Sequence, residues 1–219
     1  MGLEYYFDGI GLVSIGAFRR QFENFFGSTT LAGTPEFLAI HGIDPTEYRL
    51  YDVRTQYNLP STVHMTGLDF QYRQSLTFLP AWARGFQVFA SGSTQRATGT
   101  EADNFSGMIP RTASAGLSFE RARFNLRANW TYQSQRKLAQ ITGASVGPGT
   151  FTYATPRRLI DLTGDYRITK QLSLFGNIRN LTDEPEDFER WGPATPPYAK
   201  FRQSDRYGAL WIFGLRGNF

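Results

Sequence analysis

The sequence predicts an all-β fold: an antiparallel, up-and-down meander of about nine strands that forms part of a transmembrane β-barrel. Three observations lead to this prediction. Polar and apolar residues alternate with period two over long stretches of the 219-residue chain. Most of these stretches exceed the roughly 5–6 residues of a typical globular strand and are often 10–14 residues long. The links between the stretches differ in length, and short and long links follow one another along the chain.

The alternation defines the strands, and it is clearest at the end of the chain. There, Tyr207, Trp211, Phe213, Leu215 and Phe219 fall on one face of a predicted strand. The same pattern recurs upstream. It predicts nine strands, at residues 3–7, 10–25, 62–79, 86–97, 111–120, 124–136, 157–168, 172–181 and 206–219.

The links define the order of the strands. Short links at Asp8-Gly9, Pro80–Gly85, Glu120–Arg123 and Thr169–Gln171 leave room only for antiparallel neighbours. The long links are rich in Gly, Pro, Ser, Thr and Asn, which is typical of loops. All short turns therefore lie at one end of the meander and all long loops at the other. The predicted loops are residues 26–61, 98–110, 137–156 and 182–205.

Alternation also occurs in soluble β-sandwiches, so the membrane prediction depends on further details. Strands of nine to eleven tilted residues are long enough to cross the hydrocarbon core of a bilayer. Aromatic residues, 16% of the chain, crowd the predicted strand ends, where the interfacial girdles of a barrel lie. The polar face of the predicted strands is strongly charged: Arg127, Asp161, Asp165, Arg167, Arg179 and Arg216.

Composition and motifs argue against several other classes. Without cysteine the chain has no disulfide scaffold, thiolate metal site or cysteine nucleophile, and its two histidines are far apart. The basic residues are dispersed singly along the strands, which argues against nucleic-acid binding. Ser61, His64 and Asp69 are of the residue types that hydrolases use for catalysis, but nothing in their spacing shows that their side chains converge on one site. We therefore predict no catalytic, cofactor-binding or metal-binding residues.

Nine is an odd number of strands, and single-chain bacterial barrels have an even number. The first predicted strand begins almost at Met1, and the N-terminal residues have neither a secretion signal nor an 18-residue apolar run. We therefore expect the chain to be the C-terminal piece of a longer barrel whose first strands and signal peptide lie upstream. A nine-stranded sheet alone would leave open edges, which lipid does not tolerate.

Several segments resemble one family. The run from Leu172 to Pro185, with Asn180-Leu-Thr-Asp at its centre, resembles the penultimate strand and following loop of TonB-dependent outer-membrane receptors. The ending Tyr207–Phe219 resembles their last strand, and Gly67–Phe70 and Asn129–Tyr132 resemble their barrel wall. The chain departs from the pattern before its last strand, where Asp205-Arg206-Tyr207-Gly208 replaces the usual Gly-Arg.

The resemblance implies a 22-stranded barrel that is occluded by an N-terminal plug and imports a scarce nutrient with energy relayed from the inner membrane. Residues 1–219 would supply strands fourteen to twenty-two, without the plug, the TonB box or the signal peptide. The nutrient would be a siderophore, metal chelate, vitamin or oligosaccharide. The alternatives are a passive porin, an outer-membrane enzyme and a soluble β-sandwich that binds a ligand.

The resemblance also implies a bacterial outer-membrane location and a set of partners. These are outer-membrane lipid, the upstream strands and plug, a TonB-type energy transducer that acts through the absent part, and the outer-membrane assembly machinery; no nucleic acid is expected. The terminal strand would be the assembly signal, carried by Tyr207, Trp211, Phe213, Leu215 and Phe219. A free amphipathic strand offers an unpaired edge to the insertion machinery.

Two groups of residues are open to two interpretations. The arginines of the polar face could line a pathway for anions, or they could pair with Asp69, Glu120, Asp161 and Asp165. The aromatic residues of the predicted loops could capture a ligand or anchor the loops. These loop segments are Phe25-Phe26, Tyr48–Tyr57 and Phe188–Trp191.

Overall fold

The computed structural model describes most of the chain. It covers residues 1–7, 10–48, 51–58, 61–100, 102, 107–141, 146–147 and 149–217, with backbone alone at 27–32, 52, 54, 55 and 57. Strands account for most of this part of the chain. In chain order they are β1 (Gly2–Phe7), β2 (Gly11–Phe22), β3 (Phe26–Ala32), β4 (Asp52–Asn58), β5 (Val63–Ser75), β6 (Phe86–Thr98), β7 (Arg111–Arg121), β8 (Phe124–Gln133), β9 (Arg136–Gln140), β10 (Phe151–Ala154), β11 (Arg157–Arg167), β12 (Leu172–Arg179), β13 (Glu186–Trp191), β14 (Phe201–Asp205) and β15 (Leu210–Gly217).

Nine of these strands form one antiparallel sheet in the order β1-β2-β5-β6-β7-β8-β11-β12-β15. The nine predicted strands are therefore confirmed, and so is the antiparallel meander. The largest differences are of four residues: the last strand was predicted from residue 206 but begins at Leu210, and β5 was predicted to residue 79 but ends at Ser75. The predicted turn at Asp8-Gly9 lies outside the described residues.

The sheet has two chemically distinct faces, because the register places apolar residues of neighbouring strands opposite one another on one face and polar residues opposite one another on the other. One cross-strand row joins Ile15, Phe70, Gly92, Ala113 and Tyr132. The next row of this face toward the short-turn end is similarly apolar and joins Val13, Tyr72, Ala90, Ala115 and Trp130. We call this the apolar face and the opposite side the polar face. The apolar face is open to its surroundings: the exposed fractions include 74% at Leu3, 55% at Leu68 and 64% at Phe213.

No second layer covers the apolar face in the part of the chain that the structure describes. The buried apolar side chains there are few and scattered: Leu38, Val63, Met65, Ala83 and Ala154. A soluble domain buries the apolar face of its sheet against another layer. Exposed apolar patches of this extent mark surfaces that meet a membrane or a partner.

Packing within the sheet takes the place of a core. On the polar face an aromatic ring lies against a glycine that is its direct cross-strand partner, and this arrangement occurs three times. A Cβ atom added at Gly116 would lie only 2.2 Å from the ring of Phe89. Glycine at these positions thus has a local cause, because only glycine leaves space for the ring. The other two pairs are Phe18 with Gly67 and Phe175 with Gly214.

Three of the four long links contain regular structure, so the prediction of plain loops was wrong there. In the first of these links β3 and β4 form an antiparallel hairpin, and the short helix α1 (Pro35–Ile40) lies between them in sequence. Among the described residues no helix is long and apolar enough to cross a membrane.

The other two of these links together form a four-stranded sheet in the order β14-β13-β10-β9, here called the loop sheet. It arises because β10, in one link, pairs with β13, in the next. Periodicity within one segment carries no information about such a pairing between distant segments.

Candidate functional site

The centre of the polar face is a row of hydroxyl and amide side chains. Cross-strand pairing brings together Ser14, Gln71, Ser91, Ser114 and Thr131 on five adjacent strands. The Oγ atoms of Ser91 and Ser114 lie 2.8 Å apart and share a hydrogen bond. The row lines a depression of about 720 Å³. Such a surface can exchange hydrogen bonds with a polar solute or with water, and it carries no fixed charge along the row.

Charged residues lie toward the short-turn end of this row. Arg73 and Arg127 line an adjacent depression of about 540 Å³. The guanidinium of Arg127 lies 4.3 Å from the ring centroid of Phe89, the ring that packs on Gly116. The same arrangement recurs at Phe175, where the guanidinium of Arg216 lies 5.4 Å from the ring centroid.

The charges on the polar face are of both signs, and some of them pair. Arg216 Nη1 lies 3.7 Å from Asp165 Oδ1, across the strands β11, β12 and β15. Asp161 Oδ1 accepts a hydrogen bond from the backbone N–H of Asn180 at 2.9 Å. Of the two interpretations of these arginines, pairing with carboxylates therefore holds for Arg216, whereas Arg127 stacks on an aromatic ring.

One carboxylate connects the loop sheet to the nine-stranded sheet through two ion pairs. Glu186 accepts hydrogen bonds from Arg136 Nη2 and Arg157 Nη1, both at 3.2 Å. Arg157 begins β11 of the nine-stranded sheet, and Arg136 begins β9 of the loop sheet. Glu186, the first residue of β13, therefore connects the links that contain β9 and β13 to the nine-stranded sheet. The three side chains are 24–31% exposed, which limits solvent screening of the ion pairs.

One face of the loop sheet presents aromatic rings together with lysines. Tyr153 and Trp191 stack with their ring centroids 4.3 Å apart at 11°. Lys137 Nζ lies 3.6 Å from the ring centroid of Phe151, and Lys200 Nζ lies 5.4 Å from that of Trp191. Two of the three lysines of the chain therefore lie on this surface. We call these five residues the aromatic–lysine surface.

The sequence-based search reached only part of this surface. Trp191 lies in a segment singled out for its aromatic residues, but Phe151 and Tyr153 were missed. Their alternation in the short run Phe-Thr-Tyr-Ala was a usable signal for strand β10. Phe26, which begins β3, is 69% exposed, and the rings of Tyr48 and Tyr51 are tilted at 55° with their centroids 5.8 Å apart. Phe26 and Tyr48 belong to the link between β2 and β5, which contributes no strand to the loop sheet.

The possible hydrolase trio is not assembled. His64 and Asp69 lie on the same strand, β5, an odd number of positions apart, so their side chains project from opposite faces of the sheet. Among the described residues no group of three or more His, Asp or Glu side chains is placed to hold a metal ion.

Comparison with known proteins decides the family. A family model described as TonB dependent receptor-like, beta-barrel matches residues 1–181. The chain belongs to this family. No curated protein sequence gives a significant match.

Solved structures show that the fold of this TonB-dependent receptor-like barrel extends over the whole chain. A variant of the ferric enterobactin receptor PfeA from Pseudomonas aeruginosa aligns with 100% of the chain, with a TM-score of 0.64 and 18% identity. The copper transporter OprC aligns with 100% of it, with a TM-score of 0.63 and 17% identity. The chain spans 30% of the length of each.

The Asn180 motif on which the resemblance depended has a physical role in this TonB-dependent receptor-like barrel. Asn180 adopts φ +53°, a left-handed conformation that asparagine tolerates better than most residues. Its Nδ2 donates to the carbonyl oxygen of Glu184 at 3.0 Å, and its Oδ1 accepts from the Glu184 N–H at 2.9 Å. The side chain thereby closes the turn that ends β12, and it is only 9% exposed.

The predicted assembly residues lie mainly on one strand of the barrel. Trp211, Phe213 and Leu215 project from the apolar face of β15 and are 55–65% exposed. Tyr207, 77% exposed, precedes this strand, and Phe219 lies outside the described residues. In the described sheet β15 pairs with β12 on one side only. Their role in assembly stays a prediction.

Proposed function

We propose that the chain forms part of the wall and external loops of a bacterial outer-membrane receptor that imports a scarce nutrient. One observation carries the proposal: the apolar face of the nine-stranded sheet is uncovered, while its opposite face is polar. In a chain of this family, that division suits a barrel wall with lipid outside and water inside. A ligand-binding β-sandwich would instead bury the apolar face.

We further propose that residues 1–219 are the C-terminal part of the barrel domain. In the described sheet, β1 and β15 each pair on one side only. Unpaired backbone N–H and C=O groups at these edges would be costly in lipid, so additional strands must pair with them. The upstream strands and the plug are therefore the proposed partners inside the receptor. A TonB-type transducer would act through that part.

The aromatic–lysine surface suggests the class of nutrient. Flat rings and ammonium groups together favour a ligand that is anionic and has its own flat rings. Two structural neighbours, PfeA and OprC, are named for ferric enterobactin and for copper. We propose an anionic metal chelate with aromatic groups, captured at the loop sheet on the external side.

An uptake assay tests the proposal. The protein in its complete encoded form is produced in a bacterial strain without other ferric siderophore receptors, and radioactive ferric enterobactin is supplied under iron limitation. We expect uptake that requires both the protein and a functional TonB. Uptake that persists without TonB would support a passive porin, and absence of ferric enterobactin uptake would refute the assignment of an aromatic iron chelate as the nutrient.

Variants of the aromatic–lysine surface test the place of capture. Trp191→Ala and the double variant Lys137→Gln/Lys200→Gln should each weaken binding of the chelate to whole cells about tenfold, the effect of roughly 1.4 kcal/mol. Tyr198→Ala is the control, because Tyr198 is an aromatic residue of the same link that is 90% exposed. If all three variants bind the chelate with the same affinity, the site of capture lies outside the aromatic–lysine surface.

A further inference from the structure

Four arginines project from the apolar face near the long-link ends of their strands. They are Arg19 on β2, Arg96 on β6, Arg111 on β7 and Arg158 on β11. The pairing register places them on this face: Arg19 and Arg96 flank Thr66, and Arg111 is opposite Thr94, on the apolar-face row next to them. Arg158 is opposite Tyr132. All four are exposed. We call them the arginine belt.

The four residues lie at a common height on the barrel wall. Each is eight to ten residues from the short-link end of its strand, counted from Gly11, Phe86, Arg121 and Arg167 respectively. About nine to eleven tilted residues cross the hydrocarbon core of a membrane. The belt therefore lies where the lipid-facing wall leaves the hydrocarbon on the long-link side, at the level of lipid headgroups.

The charge of the belt is not balanced on its own face. Within the strands β2, β5, β6, β7, β8 and β11, the positions that share this face carry no Asp or Glu. The strand carboxylates, such as Asp69 and Asp161, lie on the polar face. None of the four arginines forms an ion pair among the described residues. The Oε1 atom of Glu184 accepts a hydrogen bond from the backbone N–H of Arg158 at 3.4 Å, and the guanidinium of Arg158 lies 5.8 Å from the ring centroid of Tyr132.

The spacing suits a ligand that carries more than one phosphate. Arg96 and Arg111 are diagonal neighbours on adjacent strands, about 7–8 Å apart between Cα atoms. Arg19 and Arg96 are separated by two strand spacings, roughly 10 Å. Guanidinium groups bind phosphate oxygens in bidentate fashion, and long arginine side chains reach from the apolar wall to the headgroup region.

We propose that the arginine belt binds the phosphates of the phosphorylated glycolipid that forms the outer leaflet of a bacterial outer membrane. This inference rests on the proposed outer-membrane location and goes beyond the proposed transport. Lipid is the occupant because the belt borders the uncovered apolar face, which would hold the acyl chains of the same molecule. The phenol ring of Tyr132, which lies beside Arg158, and the indole ring of Trp130, which lies one pair closer to the short-turn end, offer contact area for the lipid.

The test measures lipid binding directly. The protein in its complete encoded form, extracted from outer membranes in detergent, is titrated with diphosphoryl lipid A, monophosphoryl lipid A and phosphatidylglycerol, and bound lipid is counted by native mass spectrometry. We expect diphosphoryl lipid A to bind at least tenfold more tightly than phosphatidylglycerol, with monophosphoryl lipid A between them. Equal binding of all three would overturn the proposal in favour of unspecific attraction to anionic lipid.

Variants locate the site. Arg96→Gln/Arg111→Gln should weaken binding of diphosphoryl lipid A about tenfold, and the lysine pair Arg96→Lys/Arg111→Lys should retain most of it. The control Arg73→Gln/Arg127→Gln removes the same charge from the flanking strands β5 and β8, but on the polar face, and should change binding less than twofold. Equal loss in both glutamine pairs would overturn the proposal.

The readouts separate this inference from the proposed transport. If TonB-dependent uptake is intact while wild-type protein shows no preference for diphosphoryl lipid A, the belt proposal alone fails. If lipid A binds as expected while no chelate is taken up, the transport proposal alone fails. Heat-modifiable mobility of each variant on a gel confirms that the lipid titration compares folded proteins.

Discussion

Substitution of Gly116 by alanine tests whether the aromatic–glycine pairs stabilise the sheet. The added Cβ would lie 2.2 Å from Cζ of Phe89 and 2.5 Å from the carbonyl oxygen of Ala128. Both distances are far below van der Waals contact. The ring must therefore leave its place, and the backbone of β8 must shift as well.

The size of the effect follows from these contacts. Forcing one extra methyl group into a packed site costs about 1–3 kcal/mol. Displacing the Phe89 ring also removes its contact with the guanidinium of Arg127, at 4.3 Å, which contributes about 0.5–1 kcal/mol at an exposed site. We therefore expect Gly116→Ala to lower the free energy of unfolding by about 1.5–4 kcal/mol.

Gly92→Ala is the matched control because it lies on a neighbouring strand of the same sheet. A Cβ at Gly92 would meet only the carbonyl oxygen of Thr112, at 3.6 Å, which is ordinary contact. The control should be neutral or stabilising by about 0.5–1 kcal/mol, because alanine restricts the unfolded chain more than glycine does.

The assay is urea unfolding of the protein in lipid vesicles, followed by tryptophan fluorescence. A Phe89→Ala/Gly116→Ala double variant completes a mutant cycle, and the coupling energy reports how much of the loss passes through the ring. The reasoning is refuted if Gly116→Ala and Gly92→Ala unfold at the same urea concentration.

Three further predictions concern the links and the terminal strand. Asn180→Ala should destabilise the barrel by about 2–4 kcal/mol, because it removes side-chain hydrogen bonds of a buried group and forces alanine into φ +53°. Asn180→Gly should cost about 1 kcal/mol less in the same urea assay, since glycine adopts that conformation freely. Glu186→Gln should speed amide exchange in β13 about fivefold, equivalent to about 1 kcal/mol, while the urea midpoint of the wall is unchanged. In its control, Glu189→Gln, exchange should stay unchanged, because Glu189 has no ion pair among the described residues. Deletion of Phe219 should reduce outer-membrane insertion, and unaltered heat-modifiable folding on a gel would contradict that role.

The resemblance to TonB-dependent receptors and the strand pattern were sufficient to predict the wall. All nine predicted wall strands occur, because a strand that separates two media must alternate its side chains, and that alternation is visible locally. The Asn180 motif was noticed as a family resemblance, and the structure supplies its physical reason in a left-handed residue that closes a turn.

The site was less predictable. The loop sheet needs β10 to pair with β13, whose residues Phe151 and Trp191 are neighbours in space although 40 positions apart in sequence (191 − 151). Single-segment periodicity reports the direction of a side chain but not the identity of the strand beside it. The aromatic–lysine surface therefore became visible only when the two links were seen side by side.

The arginines illustrate the same division. The sequence by itself determined that Arg127 and Arg216 share the polar face, because the face of a residue within an alternating strand depends on its parity. Only the tertiary structure decided that Arg127 stacks on Phe89, that Arg216 pairs with Asp165 and that Arg96 lies beside Arg111. The physical reason is register: the neighbours of a strand residue belong to other strands, and the sum of many non-local contacts selects them.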